Sequence, residues 1–291
     1  MKILLFGKTG QVGSEIFSLF NKEKIDVAAF PSNEVNIAEI KSLYQKKELF
    51  KSIDVVINTA AYTQVDKAEE EPEKAEAINI NGAKNLASVC KEFNLPLIQL
   101  STDYVFSGNK NINFENDLIA PSAVYARSKA HGEQEISRLI SDFIILRVSW
   151  VFGKNGTNFV KTMLRLAKER EEIKVVDDQI GCPTPATDIA KVLLNLIQSI
   201  PTNPHRGIYH YCGLEVVSWH EFALKIIEIA RKYCPLKVKN VFPIKSHEYP
   251  SKVVRPQYST LSCGKILSDF GIQQASWEPY LEKVIKEILE A

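Results

Sequence analysis

A phenol, an ammonium and a hydroxyl stand at spacings that suit delivery of a proton to a carbonyl oxygen. Tyr125-Ala126-Arg127-Ser128-Lys129 falls in a stretch, 124–140, whose pattern predicts a helix. A four-residue spacing then puts the Tyr125 hydroxyl and the Lys129 ammonium on one helical face, about one turn apart. A cation so near favours phenolate over phenol and is expected to lower the tyrosine pKa from about 10 toward the range of a working general acid. Ser101-Thr102-Asp103-Tyr104 ends a predicted strand upstream, and the Thr102 hydroxyl would complete a three-point grip on a carbonyl oxygen. The rest of the chain must supply a hydride and a substrate pocket.

The elements that would position these groups alternate. Ile3-Leu4-Leu5-Phe6 is a continuous apolar run, as expected of a strand buried on both faces of a parallel sheet. Further strands are expected at 26–30, 55–58, 97–100 and 143–148. Between them the spacing predicts helices after Gly13, after Asn36 as N-cap, from the acidic stretch Glu69-Glu70-Glu71-Pro72-Glu73 to about Phe93, and over 124–140. Repeated strand-helix-strand units make an α/β fold, a Rossmann-like doubly wound parallel sheet with helices on both faces. Beyond about residue 150 prolines break the chain into shorter pieces, which suits a smaller C-terminal substrate-binding α/β domain. The expected division is 1–150 for an NAD(P)-binding domain and 151–291 for a mainly substrate-binding one, with elements at about 186–211 returning to the main sheet.

Composition excludes several classes. With 291 residues, 45% apolar and 24% charged, the chain buries a full core without disulfides. A net charge of +1 gives no footprint for nucleic acid or an anionic membrane. Neither a signal peptide nor a membrane-spanning run is legible, so a cytoplasmic protein is expected. The five cysteines are scattered and never spaced C-x-x-C, which argues against disulfides or a metal site.

Glycines at 7, 10 and 13 form G-x-x-G-x-x-G between strand and helix, where a pyrophosphate loop belongs. The absent side chains admit phosphate to the backbone, and the following helix N-terminus, with Gln11 and Val12, adds N–H groups and partial positive charge. After the second strand, Pro31-Ser32-Asn33 offers neither the acid that selects NAD nor the arginine that selects NADP. Asn36 and Ile37 either contact an adenine or simply cap a helix. Asn58-Thr59-Ala60-Ala61-Tyr62 carries small residues where a dinucleotide would lie, or is a well-packed strand end. Asp103 and Tyr104 project where ligands of open α/β sheets bind, with core aromatics under a loop the competing reading for Tyr104 and Phe106. Trp150 would flank a sugar or base, with core packing as the competing reading. Arg255, before Pro256, suits a diphosphate through bidentate bonds, or is an ordinary surface arginine.

On these residues the chain resembles the extended short-chain dehydrogenase/reductase family. The matching segments are 4–13, 58–69, 101–108, 124–129, 149–151, and Arg255-Pro256 with Ser259 and Leu261; Ser-Thr-Asp-Tyr-Val-Phe and Asn-Thr-Ala-Ala-Tyr-Thr are the most specific. The resemblance implies a reductase that uses NADPH or NADH on a dTDP-linked 4-keto sugar to give dTDP-L-rhamnose. It implies Tyr125 as acid, Lys129 on the nicotinamide ribose and Thr102 at the ketone. Gly7, Gly10, Gln11, Val12, Gly13, Asn36, Ile37, Ala60, Ala61 and Tyr62 would contact cofactor, and Thr102, Asp103, Tyr104, Trp150 and Arg255 the sugar nucleotide. Two positions depart from the pattern: Asn36 and Ser262 stand where aspartate is usual. Some relatives are homodimers, and the resemblance allows the same here. The rival readings are a nucleotide-sugar epimerase or dehydratase on this scaffold, and a non-catalytic regulatory subunit resembling that of methionine adenosyltransferase.

Overall fold

Strands apolar on both faces need cover on both, and the chain order supplies it. The first half of a computed structural model, which describes residues 1–290, runs β1 (Lys2–Phe6), α1 (Gln11–Lys22), β2 (Asp26–Phe30), α2 (Ile40–Tyr44), α3 (Lys47–Phe50), β3 (Val55–Asn58), α4 (Val65–Ala68), α5 (Pro72–Glu76), α6 (Gly82–Phe93), β4 (Leu97–Thr102), α7 (Val124–Leu139) and β5 (Phe143–Val148). The second half runs β6 (Val151–Phe152), α8 (Phe159–Glu169), β7 (Glu172–Val176), β8 (Ile180–Gly181), β9 (Thr184–Pro185), α9 (Ala186–Ser199), β10 (Gly207–Tyr211), β11 (Val217–Ser218), α10 (Trp219–Ala230), β12 (Asn240–Ile244), α11 (Gly264–Phe270) and α12 (Glu278–Leu289).

Six strands form one parallel sheet in the order β10-β5-β4-β3-β1-β2. The period of two along each strand sorts its side chains between two apolar layers. Ile3, Leu5, Val55, Ile57, Ile98, Ile144 and Leu146 pack on one side with Ile16 and Phe20 of α1 and Ile189 and Leu193 of α9. Leu4, Phe6, Val56, Leu97 and Ile145 pack on the other with Leu43, Leu86, Val89 and Ile136 from α2, α6 and α7. Each such side chain is fully buried, worth about 1.5–3 kcal/mol in transfer from water. Chain order reverses at β1, which is flanked by β2 and β3, so the carboxyl ends of β1 and β3 bound the crevice where open α/β sheets take ligands.

The later elements build a second core, in which α8, α10 with its Phe222, and α12 pack with Phe152, Trp277 and the apolar side chains of the β7–β12 pair. The segment around 186–211 lies with the main sheet: α9 packs beside α1 and β10 pairs with β5.

Local details differ from the sequence expectation in three places. Asn36 does not cap a helix. Its Oδ1 accepts from Ala38 N at 3.1 Å, closing a turn, and α2 starts only at Ile40; a local side-chain bond outcompetes helix initiation here. The predicted helix up to Phe93 is three pieces, with a π-helical turn, Ala77–Asn81, between α5 and α6. Strand β4 runs two residues further than expected, to Thr102, because it stays paired with β5 as far as Thr102↔Val148.

Candidate active site

Helix α7 carries the predicted phenol and ammonium. Its N-cap, Ala123, offers no side chain, but Glu69 Oε1 accepts from Val124 N at 2.8 Å and so serves one of the orphan donors of the first turn. Tyr125 and Lys129 lie on the buried face, 9% and 6% exposed, and Lys129 Nζ donates to the Leu100 carbonyl at 2.8 Å. At the carboxyl end of β4 the Thr102 hydroxyl donates to Asp103 Oδ1 at 3.0 Å and accepts from Tyr104 N at 3.2 Å. The Tyr104 ring meets Tyr125 edge-on, centroids 5.9 Å apart. The three expected catalytic groups therefore converge on one cavity, and Asp103 and Tyr104 open on it as well.

The electrostatics differ from the sequence expectation. Burial raises the Tyr125 pKa above its ordinary value; the Thr102 hydroxyl pulls the other way and the Asp103 and Tyr104 charges add to the rise. Lys129 does not offset it: desolvation brings its own pKa down to about 8, against an upward pull from Glu133, so it loses its charge before so high a phenol would ionise. In a site this dry, the cost of burying an anion outweighs one helical neighbour. The consequence is a phenol that keeps its proton at neutral pH, the form a donor requires. Burial likewise pushes the Asp103 carboxyl up to about 7 and the Tyr104 phenol up to about 12.

The cavity measures about 1370 Å³ and reaches from the glycine loop to the segment after β12. That exceeds the ~300–1,000 Å³ of a single-ligand pocket and leaves room for two ligands end to end. Gly7, Gly10, Gln11, Val12, Asn36, Ile37, Ala60 and Ala61 line one end. Gly7 has φ +87°, and a Cβ on it would sit 2.5 Å from Ala60 N, so only glycine fits. Gly10 caps α1 without a side-chain hydrogen bond, which leaves the first-turn N–H groups directed at the crevice and free for a phosphate. These residues fit a dinucleotide. Gly13 and Tyr62 do not line the cavity. Gly13 packs against the Gly7 carbonyl, and the Tyr62 hydroxyl donates to Glu71 Oε2 at 3.0 Å.

At the other end stand Trp150 and Arg255. Trp150 has φ +44°, a left-handed conformation unusual for a bulky residue, and ends β5 with a sharp turn. Its ring lies flat on Trp219, centroids 3.5 Å apart, and against Gly181, where any Cβ would clash at 2.4 Å. Arg255 Nη2 donates to Asp66 Oδ2 at 2.7 Å while its buried Nε has no partner. Lys252 pairs with Glu70 nearby. These two bridges tie the segment after β12 to α4 and the residues after it, across the cavity mouth.

Three participants were not among the sequence candidates. Asn79, in the π turn, bonds Tyr62 N, Tyr62 O and Ser128 Oγ, joining the β3 loop to the residue before Lys129. Nothing in the sequence announces a π turn. Trp219 becomes visible only through its stack on Trp150. Glu133 was legible, four residues past Lys129 on the same helical face.

The chain is similar to known proteins along nearly its whole length. A family model described as "RmlD substrate binding domain" matches residues 1–290. The chain is 40% identical over 289 residues to a dTDP-4-dehydrorhamnose reductase of Aggregatibacter actinomycetemcomitans, covering 97% of this chain and 98% of that protein. Among solved structures it is similar to a dTDP-4-dehydrorhamnose reductase from Bacillus anthracis str. Ames in complex with NADP, with TM-score 0.90, 37% identity, and 99% and 100% of the two chains covered. A reductase ortholog from Clostridium acetobutylicum superposes with TM-score 0.91 at 34% identity, covering 100% of both chains.

Proposed function

We propose a function from one premise: the chain belongs to the RmlD substrate binding domain family, in which its relatives are dTDP-4-dehydrorhamnose reductases. It is an NAD(P)H-dependent oxidoreductase that reduces dTDP-4-dehydro-L-rhamnose to dTDP-L-rhamnose. The observation that carries this reading is the opening of Tyr125, Lys129 and Thr102 on the same cavity as the glycine loop.

Reduced nicotinamide supplies the hydride when bound. The first-turn N–H groups of Gln11 and Val12 would hold the pyrophosphate, Gly7 and Gly10, whose own N–H groups donate to Phe30 O and Gly7 O, would admit it to the loop by lacking side chains, and Gly13 lets α1 approach the loop. Asn36 and Ile37 bound the adenosine end, Ala60 and Ala61 keep the floor low, and Tyr62 acts through packing. Lys129 binds the nicotinamide ribose. Thr102 orients the ketone, and Tyr125 gives its proton to the oxygen as negative charge develops there. Asp103, Tyr104 and Trp150 border the sugar, and Arg255 meets the diphosphate. The high Tyr125 pKa supports this direction of transfer, since a reductase needs the phenol and an alcohol oxidation would need the phenolate. Residues 1–150 serve mainly the cofactor and 151–291 mainly the substrate.

Five free cysteines support a reducing, cytoplasmic setting. A net charge of +1 supports a chain that takes no nucleic acid. No helix among the described residues is long and apolar enough to cross a membrane. Homodimer formation stays part of the proposal, from the family resemblance.

The test is reduction of dTDP-4-dehydro-L-rhamnose followed by loss of NAD(P)H absorbance. One cofactor oxidised per sugar supports a reductase; an epimerase or dehydratase would retain its cofactor instead. Tyr125→Phe is expected to lower kcat by about 10²–10⁴-fold with cofactor binding intact. Near-normal reduction by that variant would remove Tyr125 from the role.

A further inference from the structure

Glu133 follows Lys129 by four residues and Tyr125 by eight, so all three share one face of α7. It is buried at 4% exposure, and its carboxylate is fully engaged. Ser101 Oγ donates to Oε1 at 2.5 Å, Arg147 Nε to Oε1 at 3.0 Å and to Oε2 at 3.2 Å, and Arg147 Nη2 to Oε2 at 2.6 Å. Ser101 and Arg147 are register partners across β4 and β5, and Ser101 immediately precedes Thr102. Arg147 also faces His210 Nε2 at 3.4 Å, but burial, with the Arg147 charge, pushes the His210 pKa down to about 3, so that imidazole is neutral. The guanidinium and carboxylate answer each other.

Stability alone does not account for such a pair. Two buried ions are commonly replaceable by apolar side chains of similar volume with no loss, so a pair kept here points to what it touches. What it touches is the strand of Thr102 on one side and the helix of Tyr125 and Lys129 on the other. Resting on the reading of those three as catalytic groups, we propose that Glu133 is a positioning residue: one buried carboxylate that registers the Tyr125/Lys129 helix against the Thr102 strand and supplies the countercharge keeping Lys129 an ammonium.

The other charges around Lys129 do not replace it. Tyr125 on the same helix and Asp103 and Tyr104 after β4 share the cavity, and Arg147 of β5 is bound to Glu133. The charged side chains of α4 (Asp66, Lys67), α5 (Glu73, Lys74, Glu76) and α6 (Lys84, Lys91, Glu92) are exposed. Among the described residues, Glu133 is the charge that pulls the Lys129 pKa upward, against desolvation that brings it to about 8.

The experiment follows the Lys129 Cε resonance in isotope-labelled protein through a pH titration, assigned by its disappearance in Lys129→Met. In Glu133→Gln the midpoint is expected to fall by about one unit or more. The rate constant kcat near pH 8 should drop about tenfold while KM for the keto sugar changes little. Because that variant leaves Arg147 buried without its partner, the titration is repeated in the double variant Glu133→Gln/Arg147→Met, which holds no unpaired ion and is expected to fold with the midpoint still low. A wild-type midpoint in the folded double variant overturns the proposal. The titration needs no turnover, so failure of the wild-type protein to reduce the keto sugar would reject the functional reading and leave the electrostatic result to stand or fall separately.

Discussion

Replacing Asp103 by asparagine should change the pH dependence of folding in a direction opposite to most acidic residues. The carboxyl is 3% exposed; one oxygen accepts from Thr102 and the other is buried with no partner. Burial pushes its pKa from 3.8 to about 7, with the Thr102 hydrogen bond and the nearby Ser259 hydroxyl opposing. Below about pH 4 the group is protonated in both the folded and unfolded chain, so it contributes nothing to pH dependence. Between about 4 and 7 the unfolded chain releases the proton and the folded one keeps it, and stability falls as pH rises. Above about 7 both forms are ionised and the loss is complete. A difference of about three units at 1.36 kcal/mol each gives roughly 4 kcal/mol over the whole window, of which about 3 falls between about pH 4.5 and 7.5. Asparagine cannot ionise, and its buried amide adds a cost of about 1–3 kcal/mol that does not vary with pH. Urea unfolding of both proteins, followed by tryptophan fluorescence at several pH values, yields the stability of variant minus wild type, in which the other carboxylates cancel. That difference should climb by about 3 kcal/mol across the interval. A difference flat within ~1 kcal/mol would mean that Asp103 is hydrated, and that the polar end of this cavity is wetter than its packing indicates.

Two more perturbations probe the frame and the cation. In Gly13→Ala the new methyl would sit 2.0 Å from the Gly7 carbonyl oxygen and 2.8 Å from Thr59 Oγ1, so α1 must move off the loop, at about 1–3 kcal/mol and at least about tenfold in NADPH affinity. In Gly10→Ala the nearest atom is the Gly7 carbonyl oxygen at 3.3 Å, so this N-cap position should lose less than Gly13→Ala; equal unfolding midpoints for the two variants would contradict the close approach. Lys129→Met should abolish turnover yet stabilise the fold by about 3 kcal/mol near pH 7, since the buried ammonium, lowered from 10.5 to about 8, is charged and costly in that range. Because wild-type lysine becomes neutral first in the folded and then in the unfolded chain, the gain should shrink above about pH 8 and vanish by about pH 10.5; a gain that persists there would refute the assignment.

The sheet was legible because its strands are short apolar runs closed by Gly7, Asn58 or a polar turn, and a run apolar on both faces has few places to go except the middle of a parallel sheet. Tyr125, Lys129 and Thr102 were legible as positions for the same reason: spacing fixes a helical face, and a strand end fixes an edge. Their electrostatics were not. Spacing put a cation near Tyr125, but the sign of the pKa shift depends on how dry the site is, and dryness comes from Tyr104, Leu100 and the rest of the cavity wall, which only the fold assembles. Trp150 is legible for its ring, whereas its left-handed backbone, its stack on Trp219 and the space that Gly181, some thirty residues away in sequence, leaves for the ring are set by the fold. Asn36 shows the converse failure, a plausible cap whose side chain found a nearer amide.

The π turn at Ala77–Asn81 sets a constraint on how this chain can lengthen or shorten. A wider turn accommodates one residue more than a regular helix would, and deleting that residue would swing everything after it by about 100°. Leu86, Val89 and Cys90, now fully covered by the sheet, would rotate toward water, while Asn79 could no longer serve both Tyr62 and Ser128. The bulge thus lets two halves of one rod be phased separately, the first for the polar clasp and the second for the greasy layer. Length changes in this stretch should be tolerated only in its flanking loops.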